Sequence, residues 1–316
     1  MVKARTAPVQ QFSKIVIVGV GLMGGSLGLA VKKRGLIKEV VGLARRRSTM
    51  VRAKALGAID QGVLTPEQAL PGANLVVFAT PSKVIPDLLQ EYAPWIPAKC
   101  LVTDVGSTKV RFLREMEKRF YQPDLVRKQP PPELRFTFIS SHPMAGSEKE
   151  GVEFARKDLY DGSHCLLIRT KHANPEALER LETFWRAVGC RQISVISPEE
   201  HDRWVAAVSH LPHALAACLV NVLADLTARD PRIRTAAGPG FRDTTRVAAG
   251  APALWLDILM QNHEEVSSMI DLLRHQLSRL ETALRSGEEK RLFEFLERAS
   301  VFRQEMETPK RVVKKS

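Results

Sequence analysis

At 316 residues the chain is long enough for two separately packed cores, and its 44% hydrophobic content excludes a largely disordered protein. A net charge of +12 comes with only 6% aromatic residues and no nucleic-acid recognition motif, so it reads as a field drawing in small anions rather than as a nucleic-acid footprint. Cys100, Cys165, Cys190 and Cys218 are far apart and form no CxxC, which speaks against a disulfide framework or zinc knuckle and fits a reduced, cytoplasmic setting.

In chain order, residues 1–13 read as a disordered tail. The basic residues Lys3, Arg5 and Lys14 precede an uncharged run from Ile15 to Val31, a pattern that could pass for a signal peptide. The run instead divides into strand, glycine-rich turn and helix: "KIVIVG", then "VGLMGGSLGLAVKKRG" stopping at Gly35. Short runs rich in branched or aromatic residues follow: "EVVGLA", "NLVVFA", "CLVTDV", "RFTFIS" and "HCLLIR". Several are separated by helical patterns such as "PSKVIPDLLQEYAPWI" and "NPEALERLETFWRAVG". This alternation predicts an open parallel α/β sheet, a Rossmann-like dinucleotide-binding domain over 14–197. The Pro-rich 122–135 stretch reads as a surface insertion.

After "RQISVIS" the period changes to that of helices, and 198–305 reads as an all-helical domain with a basic tail at 306–316. Its first helix is expected to open with Ser197 as N-cap, Pro198 at N1 and Glu200 at N3, and to be kinked or interrupted by Pro212.

"GVGLMG" puts Gly19, Gly21 and Gly24 in GxGxxG spacing at a strand–helix join, where a pyrophosphate meets free N–H groups and the positive end of the helix dipole. Leu22 and Met23 within the turn, with Thr80 and Pro81 after "NLVVFA", complete the expected cofactor wall. About 20 residues past the fingerprint, NAD-binding chains carry an acid for the ribose hydroxyls. Here the slot reads "GLARRRSTM", with Ala44 in place of the acid and Arg45, Arg46, Arg47, Ser48 and Thr49 behind it. Guanidinium and hydroxyl donors suit a 2′-phosphate, so NADP is favoured, with NAD possible. The competing reading is a solvated basic helix start that contacts nothing.

Polar groups gather in "TDVGSTK", "SSHPMAGSE" and "SHLPH", each ambiguous by itself. His142 could be a satisfied loop histidine, and His210 and His213 could cap a helix or bind a metal, although no third ligand is spaced to help and no metal is expected. Arg242 and Arg246 could form only a surface ion pair around Asp243, Trp255 could be core, and Ser107 could be a turn residue or helix cap.

Together with "GFRDTTRVAAGAPALW" these stretches form an ordered set, and from about Lys14 to beyond Trp255 the sequence resembles the prephenate and arogenate dehydrogenases of tyrosine biosynthesis. The resemblance implies a nucleotide-binding domain, a helical domain that builds a homodimer, and an oxidative decarboxylation of a cyclohexadienol with a nicotinamide cofactor. It implies that His142 accepts the proton of the substrate hydroxyl, with Ser107 orienting that histidine and the nicotinamide. It further implies that Arg246 binds a substrate carboxylate, and that His213, Glu148 and Trp255 complete the pocket. Neither nucleic acid nor membrane is expected as a partner. Two other readings compete: a β-hydroxyacid dehydrogenase using a lysine of the helical domain, and a non-catalytic NADP-binding sensor.

Overall fold

The computed structural model describes residues 12–123 and 134–307. Most of the 122–135 insertion and of both tails therefore lies outside the described residues. Phe12 and Ser13, expected in the N-terminal tail, belong to the fold. Phe12 is buried edge-on against Phe184, and the Ser13 backbone donates to Asn74 Oδ1 at 3.0 Å.

The chain begins with β1 (Lys14–Val18), α1 (Leu22–Lys33), β2 (Glu39–Leu43), α2 (Arg47–Ala55), β3 (Gln61–Val63) and α3 (Pro66–Ala69). It continues through β4 (Leu75–Phe78), α4 (Ile85–Tyr92), β5 (Leu101–Asp104), α5 (Val110–Phe120) and β6 (Thr137–Phe138). These six strands make one all-parallel sheet in the order β3-β2-β1-β4-β5-β6. The order reverses between β1 and β4, which opens a crevice at their carboxyl ends where α/β sheets of this kind bind ligands.

Apolar runs form these strands because both faces of the sheet are covered. Ile15 and Ile17 of β1 join a core with Leu27 of α1, whereas Val16 and Val18 join a second core with Leu89 of α4 and Phe112 of α5. The period of two thus divides one strand between two cores. Full burial of each such side chain contributes about 1.5–3 kcal/mol.

Beyond β6 the expectation of one continuous sheet fails. β7 (Ser141–Pro143), β8 (His164–Ile168) and β9 (Gln192–Ile196), with α6 (Pro175–Val188) between the last two, form a separate three-stranded sheet. β7 runs antiparallel to β8 with His142 opposite Leu166, so the crossover rhythm of the parallel sheet ends at β6. Trp185 of α6 is fully buried beneath this junction and donates from Nε1 to Ser141 Oγ at 3.0 Å.

The helical half opens with α7 (Pro198–Val205), a π-helical turn at Ala206–His210, and α8 (Leu211–Arg229). The capping box forms as read: Ser197 Oγ accepts from the Glu200 backbone at 3.1 Å, and Glu200 Oε2 accepts from the Ser197 backbone at 2.8 Å. The interruption expected around Pro212 is present. It is a widened turn just before that proline, which has no N–H to donate and clashes with the carbonyl one turn back in a regular helix. α9 (Pro239–Thr245), α10 (Pro252–Gln261), α11 (His263–Ser286) and α12 (Glu289–Glu307) complete the described chain.

The chain packs as two compact units that part within α11, one through Glu265 and one from Val266 onward. In the second, a groove of about 1190 Å³ between α11 and α12 is lined by residues including Ala283, Phe295 and Phe302.

Candidate active site

A cavity of about 740 Å³ opens at the carboxyl ends of β1, β4 and β5. One side of it is built from Gly21, Leu22 and Met23 after β1, with Thr80 and Pro81 after β4. Gly19 and Gly24 act underneath it. Gly19 turns the chain at φ +90°, and a Cβ on Gly24 would lie 2.2 Å from the Gly19 carbonyl oxygen, so α1 can approach β1 only with glycine there. In front of Gly21, by contrast, a Cβ would meet nothing within 4 Å, leaving room against bare backbone. Thr80 Oγ1 is buried without a hydrogen-bond partner. An open space over a helix N-terminus beside an unsatisfied hydroxyl fits a dinucleotide.

Arg45, Arg46 and Ser48 are exposed and Thr49 is half-buried; all follow β2 and stand outside the cavity lining. Among the described residues no group of three His, Cys, Asp or Glu is placed to hold a metal ion.

Ser107, His142, Glu148, Arg246 and Trp255 also line it, so residues from three separated stretches of the sequence meet in one cavity. His213 is absent from the lining: it is buried behind Trp255, stacked at 3.5 Å between ring centroids, with Nδ1 unpartnered. Its neighbour His210 lines the cavity instead and bonds Asn262 Nδ2 at 3.1 Å. Arg246 pairs with Glu148 at 2.5 Å rather than with Asp243, while Arg242 Nε donates to the Ala237 carbonyl at 3.2 Å. The Glu148 carboxyl is held below its ordinary range by its own backbone N–H and the Arg246 guanidinium.

His142 sits on β7, not in a loop. Its Nδ1 is 2.8 Å from Nε2 of His201, and His201 Nδ1 is 2.7 Å from Asp202 Oδ1. The partner that holds the ring at Nδ1 is therefore His201, a residue the sequence had not indicated. Asp202 also accepts from the backbone N–H groups of Lys109 and Val110 at 2.8 and 2.9 Å, at the start of α5. Burial pushes His142 well below the usual histidine range, and His201, Lys109 and His210 push the same way. The imidazole is thus neutral at ordinary pH.

Beneath it, Lys109 is fully buried and donates from Nζ to Asp104 Oδ2 at 2.5 Å and to the Ser141 carbonyl at 2.8 Å. His201, Asp202 and Lys109 escaped the sequence reading. The signal was a His–Asp pair on the face of α7 that buries Val205, and a lysine immediately before α5, three residues from buried Phe112.

Burial also pushes His210 down to about 4. Between pH 6.5 and 4 the unfolded chain takes up a proton that the folded chain refuses, so stability is present above this window and falls as pH drops through it. The loss from His210 alone is about 3 kcal/mol. His142 and His201 act in the same direction, whereas burial raises the Asp202 carboxyl, which acts in the opposite one. Three histidines against one carboxyl should make the melting temperature fall steadily from pH 7 to 4.5, less steeply in His210→Gln. Thermal melts that stay level across that range would contradict the burial of these rings.

Two family models cover the chain: the nucleotide-binding domain of prephenate dehydrogenase over residues 27–194 and its dimerization domain over 197–298. The chain belongs to the prephenate dehydrogenase family. Prephenate dehydrogenase of Bacillus subtilis (strain 168) is 31% identical over 295 residues, 93% of this chain and 76% of that one. Cyclohexadienyl dehydrogenase of Zymomonas mobilis is 29% identical over 94% of this chain and 97% of its own. The crystal structure of prephenate dehydrogenase from A. aeolicus with hydroxyphenyl propionate and NAD+ superposes with a TM-score of 0.81 at 29% identity, covering 93% of this chain and 98% of that one. As a member of this family the protein is an oxidoreductase with a nicotinamide cofactor.

Proposed function

We propose that the protein catalyses the oxidative decarboxylation of prephenate, arogenate or both, giving the phenolic precursor of tyrosine or tyrosine itself. The observation that carries this reading is His142, a buried neutral imidazole on the cavity wall whose Nδ1 is already engaged. The bound dinucleotide supplies a two-electron acceptor for the hydride leaving C4 of the ring. His142 Nε2 takes the proton of the C4 hydroxyl. The ring carboxylate leaves as CO₂, its bonding electrons aromatise the ring, and the proton returns to the phenolic oxygen. Ser107, on the same wall, orients the hydroxyl and the cofactor ring. Trp255 and, behind it, His213 shape the pocket floor.

Arg246 receives a substrate carboxylate in exchange for Glu148. Its replacement by Ala should raise KM about 10- to 100-fold and leave kcat within a few-fold, since hydrogen bonds to charged groups contribute about 1.5–3 kcal/mol. A kcat loss with unchanged KM in steady-state kinetics would place this arginine in the chemical step instead.

The test of the activity is direct: protein incubated with prephenate or arogenate, each with NADP⁺ or NAD⁺, followed by absorbance of the reduced cofactor. Turnover in none of the four mixtures overturns the assignment. The hydroxyacid alternative needs a lysine of the helical domain in the site; the one lysine within 198–305, Lys290, is exposed at the start of α12 and is not among the residues lining the cavity.

NADP is the favoured cofactor. Ala44 offers no carboxylate to a ribose, and the guanidinium groups of Arg45 and Arg46 are free in solvent past the end of β2. Replacing both with Glu should cut kcat/KM for NADP⁺ about 10- to 100-fold while sparing NAD⁺. An equal effect on both cofactors would mean that these arginines do not read the 2′ position.

The assembly is a homodimer formed through the helical region. In the single chain Leu219, Val222 and Leu226 of α8 and Leu256 and Met260 of α10 are exposed, more apolar surface than a lone soluble unit carries. The helical stretch Pro198–Arg229 is long and apolar enough by composition to cross a membrane. Its place inside the dimerization match favours a second chain as what covers it. Free cysteines and the enzyme's small-molecule substrate fit the cytoplasm.

A further inference from the structure

We propose that His201 and Asp202 are positioning residues for the base: two successive hydrogen bonds set His142 in its Nδ1–H tautomer and leave Nε2 as the proton acceptor. The inference rests on the reading of His142 as the base, and it goes further by assigning which nitrogen carries out the step and why.

The chain of hydrogen bonds runs inward from the carboxylate. Asp202 accepts the Lys109 N–H on one oxygen and the Val110 N–H on the other, at the positive end of α5. A carboxylate in that place only accepts, so the 2.7 Å contact with His201 Nδ1 requires the proton to be on His201. A neutral His201 protonated at Nδ1 has a bare Nε2. That nitrogen must accept across the 2.8 Å to His142, so the proton there belongs to His142 Nδ1. His142 is then left with an unprotonated Nε2, in a ring that lines the cavity.

The opposite polarity needs His201 protonated on both nitrogens, with His142 accepting at Nδ1 and carrying its proton at Nε2, which is no base at all. Burial first, then Lys109 and His210, keep His201 well below the usual histidine range and exclude that state at neutral pH. The rings are fixed from opposite sides of the site: His142 by β7, His201 by α7, with the two buried to 7% and 0% exposure. The Asp202 carbonyl further accepts from Asn262 Nδ2 at 2.7 Å, anchoring α7 where the couple sits. An imidazole free to rotate or exchange tautomers would spend part of its time with the wrong nitrogen forward.

The test uses the full-length protein with ¹⁵N-labelled histidine. Two-bond ¹H–¹⁵N correlation spectra, assigned with His142→Asn, report which nitrogen of His142 is protonated at pH 7.5. The expected result is Nδ1–H; an Nε2–H tautomer in the wild type overturns the proposal. Kinetics of two variants supply the second readout. His201→Leu removes the acceptor and should lower kcat about 100-fold with KM within about threefold, while His201→Gln keeps an amide oxygen near the Nε2 position and should recover at least about tenfold of that loss. Equal losses in Leu and Gln, or an unchanged kcat in Leu, overturn it. If His201→Leu does not fold, the wild-type tautomer decides alone. If the wild type turns over neither substrate, the activity reading fails, but the tautomer measurement still tests the hydrogen-bond chain.

Discussion

Replacing His142 with Asn is expected to lower kcat about 10³-fold while leaving KM within about threefold, the range for loss of a positioned general base. Asn is the informative choice because its amide can still donate to His201 from near the Nδ1 position, so the 2.8 Å link that holds β7 to α7 survives while Nε2 is lost. Wild-type and variant should therefore melt within a few degrees of each other. The same environment sets the pH profile. His142 is held well below the usual histidine range, chiefly by burial, so it remains a base as pH falls through 6.5. Wild-type kcat should stay level there and decline only in more acid solution, where the folded-state imidazole at last takes up a proton. A decline centred near 6.5 would show an exposed histidine and contradict the burial on which the mechanism rests.

The largest expected stability effect lies directly beneath that ring. Lys109→Met should destabilise the protein by about 3–5 kcal/mol, because it leaves the Asp104 carboxylate at 0% exposure without its countercharge. It also strips a donor from the Ser141 carbonyl, next to His142. Asp104 keeps bonds from the Gly106 backbone and Ser140 Oγ, so adding Asp104→Asn should restore part of the loss. Denaturant melts of the two single variants and the double variant make the comparison. If Lys109→Met costs under about 1 kcal/mol, the pair contributes little beyond what packing supplies.

Fold and site were legible in the sequence to different degrees, for physical reasons. "KIVIVG" and "NLVVFA" are buried on both faces and so read as unbroken apolar runs, and Gly19 and Gly24 occupy places where a side chain cannot fit. Such local constraints leave local traces. The split into two sheets left none, since "RFTFIS" is as apolar as its predecessors yet only Thr137–Phe138 pairs, and the antiparallel turn of β7 is a matter of tertiary contact. The same holds for the site. His142, Ser107, Glu148, Arg246 and Trp255 were found because their motifs recur as an ordered set, and the cavity brings them together. His201 lies 59 residues from His142, and nothing in "SPEEHDRW" announces the ring it meets, because the capping box accounts for that stretch locally. His213 was placed in the pocket by motif alone, and the structure sets it behind Trp255.

The widened turn at Ala206–His210 has a consequence for angular phase. On a regular helix His201 and His210 would be turned about 180° apart, nine steps of roughly 100° each. One extra residue accommodated in a π turn makes the effective separation eight steps, and the two rings then differ by only about 80°. Both can so be buried toward the same side, His201 against His142 and His210 against Asn262. The turn works as an indexing step in the helix: residues before it are brought into phase with His142, those after it with the cavity lining around His210.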